Sequence, residues 1–309
     1  MSKQKVKAYG PIVISAGFFF VVLLPAVIWF NFIREEYSDK MLSKVNDKLL
    51  SHELAWVGRG RDYAQYSVSC FGETGSCKML YRIPAATERV PAIVLIHDLD
   101  STQVVFDMLN KVERINNCAV AAINVSEYFK YDKNGSIRTK NKHLGKGMLA
   151  ALGAVDLALE FVRGHRIVDT TAIYLVGIGD AGLLVMPAAV DYGQSVKGVA
   201  YIDADAMMAL KKWDEDDFAS PIGWAKRAKP LRALMVSTGG NSAAKGTTAL
   251  ASAFSKVDQV QAASQNVQDK YSIALGSTVS WIWQDRPRVE QKEITPTPPN
   301  PDNSIMVKK

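Results

Sequence analysis

The sequence predicts an α/β domain on a mostly parallel sheet, entered through a β-hairpin and preceded by one transmembrane helix. Three observations carry this. Continuous apolar runs at Val90–Ile96, Cys118–Val125, Thr171–Val176, Gly198–Ile202 and Leu231–Ser237 alternate with helical stretches, the pattern of a parallel sheet covered on both faces. Residues Asp62–Pro84 place strand-like arms on either side of a turn-rich loop. Residues 11–33 are almost wholly apolar and meet the roughly 20 residues a bilayer-spanning helix needs.

The elements follow in order. Residues 1–10 form a short tail carrying Lys3, Lys5 and Lys7. The run 11–33 includes Phe18-Phe-Phe-Val-Val-Leu-Leu24 and ends near Trp29 and Phe30, where aromatics anchor at the interface. It exceeds the h-region of a cleaved signal peptide, and Asn31-Phe-Ile-Arg-Glu-Glu36 offers no small-residue cleavage site, so it reads as an uncleaved signal-anchor. Lysine and arginine flank both ends, so their count alone does not orient it. Residues 34–61 form a linker helix, with Met41, Leu42, Val45, Leu49 and Leu50 at helical spacing. The domain covers 62–286, with helices at Val104–Arg114, Met148–Val162 and Thr247–Lys256, and a last strand and helix within Lys270–Trp283. Residues 287–309 contain Thr295-Pro-Thr-Pro-Pro-Asn-Pro301, a disordered, polyproline-like tail.

Charge and cysteines limit the function classes. The net charge of +6 over 309 residues is scattered without a basic, aromatic-interleaved stripe, which argues against a nucleic-acid surface. Cys70 and Cys77 flank a turn-rich loop, well placed for a cross-hairpin disulfide in an oxidising compartment; two unrelated thiols are the alternative. With the anchor, the disulfide puts the N-terminus in the cytoplasm and the domain in the periplasm or cell exterior. No metal-ligand spacing occurs around the cysteines, and Trp213-Asp-Glu-Asp-Asp217 lacks the ordered EF-hand spacing, so neither metal nor cofactor is expected.

The most informative stretch is Ile173-Tyr-Leu-Val-Gly-Ile-Gly-Asp-Ala-Gly-Leu-Leu-Val185: a buried strand, a tight Gly-rich turn, then an apolar helix start. With Ala92-Ile-Val-Leu-Ile-His-Asp-Leu-Asp100, the helix and loop from Leu157 and the strand Val196–Ile202, it resembles the α/β-hydrolase fold, and the chain is similar to membrane- or periplasm-directed hydrolase-like bacterial proteins. The resemblance implies that the turn is the nucleophile elbow, centred on Ser, Cys or Asp. Here that position holds Gly179, with Gly177 and Gly182 around it. The triad acid is expected in Thr238-Gly-Gly-Asn-Ser242, where Asn241 stands. The four histidines, His52, His97, His143 and His165, all precede the elbow, so the order Ser…Asp…His is unavailable.

Degenerate triad positions at Gly179 and Asn241 make the expected function a pseudohydrolase: a binding or scaffolding module of the cell envelope, taking a protein partner or a small ligand in a vestigial pocket beside His97, Asp98, Gly177, Asp180 and Gly182. Two alternatives stand. One is an atypical ester or amide hydrolase with a non-standard site, in which Asp180 is a rival nucleophile crowded by Ile178. The other is dinucleotide binding: Gly177-x-Gly179-x-x-Gly182 follows a strand and opens a helix, and Asp203 ends the next strand. His97 has a third reading, in a turn whose Asp98 or Asp100 caps the next helix.

Overall fold

A computed structural model describes residues 48–73, 75–99, 101–112, 114–128, 141–203, 223–225, 231–238, 250–251, 254, 256–261 and 267–284. The expected anchor 11–33, the first half of the linker (34–47), Asn241 and the Pro-rich tail lie outside them. No helix among the described residues is long and apolar enough to cross a membrane.

The strands are β1 (Ser51–Arg59), β2 (Tyr63–Phe71), β3 (Ser76–Pro84), β4 (Val90–His97), β5 (Ala119–Asn124), β6 (Val168–Ile178), β7 (Val196–Ile202), β8 (Arg232–Ser237) and β9 (Lys256–Gln261). They form one sheet in the order β1-β2-β3-β5-β4-β6-β7-β8-β9. The first three strands pair antiparallel, β3 meets β5 antiparallel, and every pairing from β5 through β4 to β9 is parallel. Helices α1 (Thr102–Leu109), α2 (Asn141–Gly164), α3 (Val185–Tyr192) and α4 (Val267–Gln284) cover the sheet. All eight residues of β4 are buried, which explains its unbroken apolar sequence. One core layer joins Phe106 and Leu109 of α1, Leu275 and Trp281 of α4, and Leu95, Val120, Tyr174 and Leu234 of the sheet.

Arg82 fixes the hairpin to α1. Its guanidinium is fully buried, lies 4.0 Å from the Tyr63 ring centroid and 4.9 Å from that of Phe106, and donates to Asn110 Oδ1 at 2.7 Å. Burial lowers its pKa.

Three expectations need correcting. The linker-helix assignment fails over Ser51–Arg59, which pairs with β2 as an edge strand. Gly58 and Gly60 oppose a helix there, and backbone pairing with β2 satisfies the strand instead. The last strand is Lys256–Gln261, paired with β8, and Lys270–Trp283 is helical throughout. The Cys70–Cys77 disulfide is not formed. The two residues face each other in register, both buried and both free. Their thiols are hydrogen-bonded, which, with burial, pushes the Cys77 thiol well above its ordinary range.

Candidate active site

The parallel register aligns the carboxyl ends of the central strands. His97 pairs with Ile178, Ile178 with Ile202, and Ile202 with Val236. One step further, Asp98, Gly179, Asp203 and Ser237 stand in a row across the crevice where open α/β sheets bind ligands.

The turn expected at Gly177–Gly182 is present. β6 ends at Ile178, and a tight helical turn over Gly179–Leu184 leads into α3. Gly179 has φ +62°, the left-handed conformation a strained elbow requires. Gly177 serves packing: a Cβ there would lie 2.6 Å from Gly182 Cα and 2.6 Å from Val185 Cγ2. Gly182 is therefore the backbone that Gly177 allows close.

Asp98 decides the chemistry. A Cβ at Gly179 would lie 2.8 Å from Asp98 Oδ1 and 3.3 Å from Oδ2. The carboxylate of Asp98 thus fills the space into which an elbow nucleophile would project. The Asp180 N–H donates to Asp98 Oδ2 at 3.2 Å, so the amide that follows the nucleophile position, an oxyanion-hole donor in this fold, is already engaged. Asp98 is not the helix cap: Ser101 Oγ accepts from Gln103 N at 3.1 Å and performs that role for α1.

Asp180 is buried, only 8% exposed as a residue, and its Oδ1 has no hydrogen-bond partner. Burial first, then the nearby negative charge of Asp98, pushes its pKa up to about 7. Asp98 and Asp180 therefore form a carboxylate pair in which Asp180 holds a proton near neutrality. A carboxylate over the elbow amide repels a pyrophosphate, which removes the basis of the dinucleotide reading.

His97 is not in this group. It is fully buried, neither ring nitrogen has a partner, and burial lowers its pKa to about 4, so it is neutral under ordinary conditions. Its carbonyl accepts from Val125 N at 2.8 Å, a structural role.

A second cluster, which the sequence reading missed, lies one strand along. Asp203 also has positive φ, +51°. Its Oδ1 accepts from Thr238 N at 2.8 Å, its Oδ2 accepts from Thr238 Oγ1, and Lys270 Nζ lies 3.7 Å from Oδ2. The position of Asp203 at a strand end was legible. Its partners, 35 and 67 residues away in the chain, were not.

No protein-family model and no curated relative matches the chain. Solved structures do. An acetyl xylan esterase from a Paenibacillus species superposes with TM-score 0.55 at 14% identity, over 81% of this chain and 92% of its own. Acetyl xylan esterase 1 from a Thermoanaerobacterium species gives TM-score 0.53 at 14% identity, over 78% and 91%. An S-formylglutathione hydrolase from Agrobacterium tumefaciens gives 0.54 at 12% identity, over 77% and 99%. At these identities the likeness establishes the α/β-hydrolase fold. These neighbours are named as esterases or a hydrolase, which overturns the expectation of a pseudohydrolase acting as a binding or scaffolding module; the atypical-hydrolase alternative fits them better.

Proposed function

We propose that this chain is an atypical hydrolase of short-chain esters whose reacting groups are the carboxylates of Asp98 and Asp180. The observation that carries this reading is the Asp98 carboxylate standing 2.8 Å from the missing Gly179 Cβ, beside an Asp180 carboxyl held at about 7. Short acyl groups suit the esterase fold, since the neighbours named above act on acetyl xylan and on S-formylglutathione.

The roles divide by environment. Asp98, ionised, accepts a proton from water as the water oxygen bonds to the acyl carbon. Asp180, protonated, donates to the alkoxide as the acyl C–O bond breaks, releasing acid and alcohol. The proton gained by Asp98 then passes back to Asp180 through solvent, and the pair is reset. Because the elbow amide is bound to Asp98, the Asp180 proton takes over stabilisation of developing negative charge.

The domain is placed outside the cytoplasm on a bilayer-spanning helix over 11–33. The length of that apolar run supports the anchor; Lys3, Lys5 and Lys7 before it are matched by Arg34, Lys40, Lys44 and Lys48 after it, so the orientation is what the next experiment decides. A C-terminal reporter fusion that is active only in the cytoplasm tests the placement, and activity there contradicts it.

The activity test is hydrolysis of p-nitrophenyl acetate by the purified full chain. The reading predicts turnover that Asp98→Asn lowers by about a hundredfold or more. Turnover undiminished in Asp98→Asn and Asp180→Asn alike contradicts it.

A further inference from the structure

The first strand carries a surface that the hydrolase reading does not use. Of its neighbours, Leu50 is 61% exposed, Leu54 40%, Trp56 56% and Val57 47%. Phe71, paired with Ser51 across the β1–β2 ladder, is exposed on the opposite face and is not part of this group. Singly exposed apolar residues are ordinary on a protein surface; a contiguous group along one strand marks a contact. The alternation of the strand sets Leu54 and Trp56 on the face where His52 packs edge-on against Phe161 of α2, their ring centroids 5.1 Å apart. The helix layer reaches His52 and leaves Leu54 and Trp56 uncovered.

We infer that this apolar strip of β1 rests on the lipid bilayer. The inference builds on the membrane anchor proposed above. Residues 34–50 connect Ile33 to β1 and span at most about 60 Å when fully extended, a tether that lets the strip reach a membrane the anchor crosses. Exposed Lys48, Arg59 and Arg61 bracket the strip, with Glu53 and Asp62 the acidic residues of the stretch. An apolar strip with a tryptophan and flanking cations suits the headgroup boundary, where an indole and snorkelling basic side chains are both favoured.

A second copy of the chain added edge to edge is the competing occupant, and the geometry disfavours it. Strand addition satisfies backbone groups along the edge, whereas Leu54 and Trp56 project from a face and would stay bare. The outer edge is also interrupted by a register shift between Trp56 and Gly58, a bulge that blunts pairing with another strand.

The test uses the full chain reconstituted in phosphatidylcholine vesicles with and without phosphatidylglycerol. Lipids brominated near the headgroup quench tryptophans at that depth, and the difference between wild type and Trp56→Phe isolates Trp56. The expected result is a Trp56 component quenched by the brominated lipid and lost from quenching in the Leu54→Asp, Val57→Asp double variant. A Trp56 component untouched by the lipid overturns the inference. If it is shielded from both brominated lipid and aqueous iodide, protein packed on that face is the occupant and the inference is equally overturned. Alkaline carbonate extraction of the same vesicles separates the two readings. Chain retained with Trp56 unquenched sinks the strip alone; chain washed out sinks the anchor and the strip together.

Discussion

Two adjacent strand ends share a turn through positive φ and have opposite chemistry. Gly179, after β6, and Asp203, after β7, both turn with positive φ, +62° and +51°. At the first, the vertex has no side chain and a neighbouring strand's Asp98 fills the space, leaving the next carboxyl, Asp180 Oδ1, buried and unpartnered. At the second, the vertex supplies its own carboxylate, saturated by Thr238 N, Thr238 Oγ1 and Lys270. Positive φ costs a non-glycine residue about 1–2 kcal/mol, and the three contacts at Asp203 offset it. A saturated carboxylate fastens loops; an unsaturated one whose pKa is raised toward neutrality is free to move protons.

Removing the reactive carboxylates should have the largest effect. Asp98→Asn and Asp180→Asn are each expected to lower kcat/KM for p-nitrophenyl acetate by about 10²–10⁴-fold, the usual contribution of general acid–base catalysis. Asp203→Asn should leave kcat/KM within a few-fold while unfolding at lower denaturant. A loss of activity as large as that of the Asp98 variant would erase the distinction between the two strand ends.

Restoring a nucleophile should not restore a standard hydrolase. A Ser at position 179 places its Cβ 2.8 Å from Asp98 Oδ1 and forces a side chain into positive φ. Gly179→Ser is expected to destabilise the fold by about 1–3 kcal/mol, read as a lower Tm, and to lower ester turnover because Asp98 is displaced. Asp203→Asn should cost about 1–2 kcal/mol in denaturant unfolding, because Asn tolerates the left-handed backbone but forfeits the ion pair with Lys270.

The smallest effect is in stability against pH. Asp180 holds its proton more tightly in the folded state, its pKa rising from 3.8 to about 7, so its contribution to stability is lost as pH rises across that interval. His97 moves the other way, from 6.5 to about 4, so its contribution is lost as pH falls through that range. The two oppose each other in wild type. In Asp180→Asn only the His97 effect remains, and Tm should climb more steeply from pH 4 to 7 than in wild type.

Much of the fold was legible because β4 to β8 are buried on both faces and read as unbroken apolar runs. The elbow was legible because Gly177 and Gly179 answer to local demands of close packing and positive φ. β1 was misread because a half-exposed edge strand has little apolar alternation, and the apolar spacing of residues 41–50 extends a helical reading into it. β9 was misread because Lys256-Val-Asp-Gln-Val-Gln261 is short and polar. At the site, the sequence exposed the loss of a nucleophile at Gly179 but not its replacement. That Asp98 leans over Gly179 from a strand 82 residues earlier than Asp180 is a property of register and is invisible in local spacing.

The pH dependence of kcat/KM for p-nitrophenyl acetate, corrected for the uncatalysed rate, tests the central claim most directly. A protonated Asp180 as general acid predicts a rate that falls as pH rises through about 7, with that limb absent from the residual activity of Asp180→Asn. A corrected profile that stays level across neutrality, or a descending limb that persists in Asp180→Asn, would contradict the carboxylate pair as the reacting group.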